Sequence, residues 1–357
     1  MDELMQKAIR QSVILKKPPV LTPWKPDELW PQAWYLWDSD AEIWQPTFEP
    51  PASDFAITYA EGSPSGIAAI SLYSWNIDFM LPCAEARMSA ALSHLDRLTG
   101  QLPQTTAVII NLQEVTPSDL ITISQQTWVR KRFYMADVDS STWGSLMYGT
   151  TMLVDRRLRL QSCFRVHYSA TQMERDALFV DVTTPSSIKA LRFGNSHLES
   201  MVSDPPLRPT QVRTAAKYLH EDWLLAGAVL AGDFNAIQPF DASLHSDNNL
   251  KDAYLESRGG GREGGSGEEG ATWGQQAHPV PRERFGLSRM DKAYYCGGGI
   301  KLQGFEKIGA DVVVDGEGKK EQKEQKERLL ALGFEKAWVT DHLGIKVTFG
   351  LVQDARL

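Results

Sequence analysis

The sequence predicts an α/β chain of the α+β kind, with mixed rather than purely parallel sheets. Seven short apolar runs, GIAAISLYSW, TAVIINL, TTMLV, ALFVDV, ALRFGN, AGAVLAG and HLGIKVTF, are bounded by polar or turn residues, as buried strands are. Amphipathic stretches lie between them. Residues 83–98 set Met88, Ala91, Leu92, Leu95 and Leu98 on one helical stripe, and residues 208–225 do the same with Val212, Ala215, Ala216, Leu219 and Trp223. Arg156 to Thr183 breaks the alternation with long hairpin-like segments, which argues for antiparallel pairs in the sheet.

In chain order, residues 1–66 form a Pro/Trp-rich extension in which five of the eleven tryptophans (Trp24, Trp30, Trp34, Trp37, Trp44) fall close together. Within it, WYLWDSDAEIWQP reads as an aromatic strand, a turn at Asp38-Ser39-Asp40 and a second strand. Such a hairpin serves either recognition or packing against the main domain, and packing is the expectation. Residues 67–357 are expected to be the catalytic domain, with two low-complexity insertions. RGGGREGGSGEEG, 258–270, is too rich in glycine to sustain a helix or strand, and GEGKKEQKEQKER, 316–328, is either a solvated helix or an unstructured excursion.

Composition excludes some classes. The formal charge of -8 argues against coating long nucleic acid, which needs many lysine and arginine contacts to phosphate, but not against gripping one phosphate. No apolar run approaches the roughly 18 residues of a membrane span, and the charged, polar N-terminus MDELMQKAIRQ lacks a signal-peptide core. An intracellular location is therefore expected. Cys83, Cys163 and Cys296 are too scattered for a zinc site or a disulfide framework.

The chemistry lies at strand ends. In AGDFNA, alternate side chains share a face, so Asp233 and Asn235 project together while Phe234 turns to the core. Four more apolar strands or turns meet polar residues: Asn76 and Asp78; Gln113 and Glu114; Asn195, His197, Glu199 and Ser200; Asp341 and His342. Strand ends of a packed sheet lie near one another, so these predict one polar cleft. Carboxylates, amides and histidines without cysteine favour a hard cation such as magnesium, and magnesium favours phosphate chemistry.

SWNIDF, LQEV, SHLES, GDFNA, RMDK and TDH occur in the order and approximate spacing of the endonuclease/exonuclease/phosphatase family. The chain resembles that family over about 67–351. WNID, LQEV, SHLES, YGTTML, ATW and DH are similar to its tyrosyl-DNA phosphodiesterase 2 branch. The resemblance implies a DNase I-like four-layer αββα sandwich of two mixed sheets flanked by helices. It implies magnesium, with manganese as a substitute, on Glu114 beside Asn76. Asp233 and Asn235 orient the attacking water and the phosphate. His342 stabilises the transition state, and Asp341 orients its ring or supports the metal through water. His197 and Ser200 contact phosphate, Trp273 walls the DNA end, and Tyr148 and Asp291 are further substrate-binding candidates. The implied substrate is a DNA end with a 5'-linked tyrosine or peptide, such as a trapped topoisomerase II adduct. A monomer acting in the nucleus, or failing that in the cytoplasm, is expected.

Three residues depart from the branch: Phe79 stands where glycine follows NID, Phe234 where threonine is usual, and Lys292 where arginine is familiar. Phe79 is the one expected to alter the groove. Glu199 also reads as a structural acid, Asp78 as a turn residue, and Asp291 with Arg289 as a surface pair. Two other functions remain open: a nuclease or small phosphate-ester hydrolase of the same family, and a non-catalytic interaction protein docking through its aromatic N-terminus.

Overall fold

In the computed structural model, which describes residues 16–48, 66–183, 189–221, 223, 225–259, 269–314 and 320–352, two mixed sheets lie face to face. The strands are β1 (Leu29–Pro31), β2 (Trp34–Asp38), β3 (Ile43–Thr47), β4 (Ala69–Asn76), β5 (Thr106–Val115), β6 (Phe133–Met135), β7 (Gly149–Asp155), β8 (Arg159–His167), β9 (Asp176–Thr183), β10 (Ala190–Ser196), β11 (Leu225–Asp233), β12 (Lys251–Asp252), β13 (Asp291–Cys296), β14 (Ile300–Ile308) and β15 (Gly344–Leu351). One sheet has the order β1-β8-β9-β10-β11-β13-β12 and the other β14-β15-β4-β5-β7-β6-β2-β3. Each contains one parallel pair, β10 with β11 and β4 with β5. The hairpin character read at Arg156–Thr183 is the antiparallel β8–β9 pair.

The apolar runs fill the space between the sheets. Ile70, Leu72, Ile109, Val180, Phe193, Val229 and Val347 are buried there, which stabilises the stack by removing apolar surface from water. Helices cover both outer faces. On one, α1 (Ala84–Gly100), α2 (Pro117–Gln125) and α3 (Thr127–Arg132) bring Met88, Leu92, Leu95, Leu120, Ile123 and Val129 against Tyr73, Ile110 and Leu112. On the other, α4 (Arg208–Leu219) brings Val212, Ala215 and Leu219 against Phe179 and Leu230. The layers are therefore helix, sheet, sheet, helix.

Some elements differ from expectation. The second amphipathic helix ends at Leu219, where His220 caps it and its ring bonds the Asn248 carbonyl, 2.8 Å. Trp223 is consequently 79% exposed rather than on the helix stripe. Residues 29–47 are strands of both sheets: β1 pairs with β8 and β2 with β6, so the segment ties the two sheet edges. The Lys/Glu run is helical over α5 (Lys320–Ala331), which buries Leu329 against Val314 and Ala337. Most of the glycine-rich insertion, 260–268, lies outside the described residues.

Candidate active site

The topology explains why the polar residues meet. β4, β5, β10 and β11 all end on one side of the sandwich, and the antiparallel β13 and β15 begin there. Asp233 and Asp291 face each other in register. Below them a buried polar layer fixes one sheet on the other. Gln113 Nε2 donates to Asn195 Oδ1 (2.8 Å) and to Ser74 Oγ (3.0 Å), Asn195 Nδ2 donates to the Leu112 and Thr151 carbonyls, and Asn111 Nδ2 donates to Gly194 O. The two halves of the site thus have a fixed separation.

Local backbone geometry then aims the side chains. Glu114 sits at a register irregularity between Leu112 and Val115 with φ 57°, and Asp78 (56°) and Asn235 (49°) are also left-handed. Non-glycine residues pay for that conformation elsewhere, and such strain collects at functional sites. Gly232 has the opposite reason: a Cβ there would overlap the Ser196 carbonyl oxygen, so only glycine lets β10 and β11 approach beside Asp233.

Asp233 is the hub. Its Oδ2 accepts from Asn76 Nδ2 (2.9 Å) and faces His197 Nε2 (3.3 Å) and His342 Nε2 (3.7 Å), while its Oδ1 accepts from the Asn235 N–H (2.9 Å). Asn76 Nδ2 also reaches Glu114 Oε1 (3.3 Å), and Glu114 Oε2 accepts the Phe79 N–H (2.9 Å). Asn235 Nδ2 donates to Leu198 O, and Phe234 is fully buried against Tyr294, away from the site as expected. Burial alone would raise Asp233; His342 and His197 outweigh it and hold the carboxyl below the usual range.

The ring of His342 is held by Asp291, not by Asp341. Its Nδ1 lies 2.9 Å from Asp291 Oδ2, while Asp341 Oδ1 is 3.9 Å from Nε2. Burial would lower this histidine, but Asp291, Asp233 and Asp341 raise it well above its ordinary value. It is therefore an imidazolium near neutral pH, with Nε2–H directed at Asp233. Burial pushes Asp291 up to about 6 against the pull of His342. His197 is the opposite case: burial, then the nearby Arg175 charge, lower it. Arg175 Nη1 donates to His197 Nδ1 (2.7 Å), which fixes the neutral tautomer that presents Nε2–H to Asp233.

The remaining candidates divide. Trp273 is buried, and its indole N–H donates to Asp341 Oδ2 (2.7 Å). Tyr148 is buried and stacks on Phe79 at 4.2 Å between ring centroids. Ser200 Oγ contacts Met173 Sδ, one shell out from the hub. Glu199 is fully buried and bonds Thr171, Gln172 and Gln211, the pattern of a structural acid. Arg289 pairs with Asp252 (2.9 Å) rather than with Asp291. Arg175 was not legible: it precedes β9, whose start lies at the site because β9 runs against β10. Reading strand starts as well as ends would have found it.

Two donor sets could hold a cation. Asp233, Asp291 and His342 place ligand atoms within 4.8 Å of one another, but a protonated His342 cannot ligate a metal and already compensates both acids. The fit is better beside Glu114, whose charge raises the proton affinity of both Asp78 and Asp341. Burial, then Asp341 and Glu114, push Asp78 up to about 8, and burial raises Asp341 as well. Acids that repel one another beside Asn76, whose Nδ2 faces Glu114 and whose Oδ1 accepts the Asp78 N–H (2.9 Å), match a hard divalent ion.

A buried carboxylate, Asp233, flanked by His197 and by an Asp291-held His342 in one cleft, suits hydrolysis of the phosphodiesterase type. Residues 73–342 match the model of the Endonuclease/Exonuclease/phosphatase family, and the chain belongs to that family. No curated protein matches the sequence significantly. Among solved structures, D. rerio TDP2 complexed with single strand DNA product is similar with a TM-score of 0.56 and 19% identity, over 79% of this chain and 99% of that one. TDP2 from C. elegans gives 0.56 and 20%, over 79% and 75%. The human Nocturnin catalytic domain with bound sulfate anion gives 0.51 and 17%, over 80% and 94%. These likenesses are of fold.

Proposed function

We propose that the protein is a magnesium-dependent phosphodiesterase that hydrolyses a 5'-phosphotyrosyl-DNA bond. The observation that carries this reading is the convergence of Asn76, Glu114, His197, Asp233, Asn235 and His342 at one end of the sandwich. The likeness to TDP2 structures, one of them with a single strand DNA product, supports the substrate class.

Glu114 and Asn76, with Asp78 and Asp341 alongside, would hold the cation, which supplies Lewis-acid polarisation of a phosphoryl oxygen. This chain's residues do the rest. Asp233, kept ionised by His342 and His197, accepts a hydrogen bond from the attacking water and orients it, and the proton that the water sheds passes through solvent to the departing tyrosyl oxygen. The new bond joins that water oxygen to phosphorus, and the bond from phosphorus to the tyrosyl oxygen breaks. His342 and the Nε2–H of His197 face the charge that grows on the phosphoryl oxygens. The products are a 5'-phosphate and tyrosine or a tyrosyl peptide, as from a topoisomerase II adduct, and repair of that lesion places the protein in the nucleus.

A second reading within the family has its own support. The Phe79–Tyr148 stack stands next to Glu114, and a large aromatic at that position suits a smaller phosphate ester or a different nucleic-acid end. Matched oligonucleotides carrying a 5'-phosphotyrosine, an abasic site or an unmodified RNA end separate the two. Tyrosine release that needs magnesium and is lost in Glu114→Gln and Asp233→Asn is expected. Cleavage of another substrate alone moves the assignment within the family, and folded variants that keep wild-type rates remove those residues from the mechanism.

A further inference from the structure

The loop carrying Asp78 and Phe79 and the loop carrying Asp341 and His342 are far apart in the sequence, yet one side chain grips both. Arg87, on the first turn of α1, is 1% exposed. Its Nη1 donates to Ile77 O (2.5 Å) and Val339 O (2.7 Å), Nη2 to Asp78 O (2.8 Å) and Leu81 O (2.9 Å), and Nε to Pro82 O (2.9 Å). All five guanidinium N–H groups therefore meet backbone carbonyls. Among the described residues no carboxylate lies within ion-pair distance of it.

A buried cation without a paired anion is costly, and a complete set of carbonyl acceptors is what offsets it here. An apolar side chain there would leave those five carbonyls without their donor. Beside the direct bonds from Thr340 Oγ1 to Asn76 O (2.8 Å) and from Trp75 Nε1 to His342 O (3.1 Å), the guanidinium adds a second connection, from the 77–82 loop to Val339. It holds the 77–82 loop from inside, between left-handed residues at Asp78 and Cys83. The Phe79 N–H of that loop in turn holds Glu114 Oε2. The same Nη1 that binds Ile77 O reaches Val339, three residues before His342.

We propose that Arg87 is a positioning residue that sets the separation between the cation-holding side of the site, Asn76 and Glu114, and the His342 side. The proposal rests on the phosphodiesterase reading above. Lysine keeps the charge but has three donors on one nitrogen and no fork, so it cannot span both loops.

The test compares Arg87→Lys and Arg87→Ala with Arg192→Lys. Arg192 is a buried arginine paired with Asp181 at the start of β10, away from the site. Two readouts are taken on each folded variant: Mn2+ binding by calorimetry, and kcat and KM on a 5'-phosphotyrosyl oligonucleotide. Arg87→Lys is expected to weaken Mn2+ binding and to lower kcat by about 10–100-fold each, the usual effect of losing an outer-shell partner, with KM nearly unchanged. Arg192→Lys should lose thermal stability and move neither. Wild-type Mn2+ affinity and kcat in Arg87→Lys would overturn the proposal, and so would failure of Arg87→Lys to fold, which would make Arg87 a residue of the fold alone. A wild type that binds Mn2+ without turnover sinks the phosphotyrosyl substrate and leaves the calorimetry to decide on Arg87. A wild type that does neither sinks both.

Discussion

At the scale of single residues, the most consequential contact is the one between Asp291 and His342. Asp291 entered the sequence reading only through the family's RMDK element, because a lone acid in a polar segment has no periodicity to mark it. The structure gives it the ring nitrogen that the neighbouring Asp341 does not reach. The charge of His342 depends on that contact. A histidine whose folded value is raised contributes stability that is complete below its unfolded value of about 6.5 and is lost as pH rises through the folded value. In protein treated with chelator, the His342 ring should therefore titrate well above 6.5. Asp291→Asn removes the nearest opposing charge, so the midpoint should fall and the alkaline limb of the activity profile should move to lower pH. Ring titration by NMR measures this directly, and an unchanged midpoint in Asp291→Asn would mean that Asp233 and Asp341 sustain the imidazolium without it.

Elements were legible where their signal is local. The β2–β3 hairpin could be read from its aromatic strands and its turn, where Asp38 Oδ1 accepts the Asp40 and Ala41 N–H groups. Its partner could not, because pairing of β2 with β6 joins residues a hundred positions apart and leaves no pattern in either segment. The same holds for β1 on β8. The short helices α2 and α3 went unread because each is under three turns and lacks a long apolar stripe. The structure makes a prediction for the N-terminal element. Trp34 is 1% exposed and packs with Leu72, Ile109 and Val154 between the sheets. Trp34→Ala should destabilise the whole domain by about 3–5 kcal/mol, the usual cost of emptying a large buried aromatic site. Chemical denaturation gives the number. A loss under about 1 kcal/mol, typical of surface sites, would show that the hairpin hangs on the domain without supporting it.

For the whole molecule, the strand ends converge because the sheets stack, and that convergence has a stability cost. Asp78 and Asp341 are brought close to Glu114, and burial and the neighbouring negative charges raise both aspartates. Asp78 bears the clearest mark, its carboxyl pushed up to about 8 from an ordinary 3.8. The sign follows from linkage. An acid with a raised folded value binds its proton more tightly in the native state, so it favours unfolding progressively as pH rises from 3.8 to about 8. Asn keeps the acceptor that bonds the Met80 N–H and removes the charge. In the absence of divalent ions, Asp78→Asn should therefore raise the melting temperature at pH 7 and lose most of that advantage near pH 4, where the folded wild-type group is protonated and the unfolded one is protonated in part. Added magnesium should reverse the order, because an ion bound only by the native state stabilises it by mass action and the variant has one carboxylate fewer to offer. Thermal melts at two pH values, with magnesium or chelator, contain all four comparisons. A variant that is less stable than wild type at pH 7 in chelator would mean that Asp78 serves the loop more than the cation, and that the acids are not held together against their own repulsion.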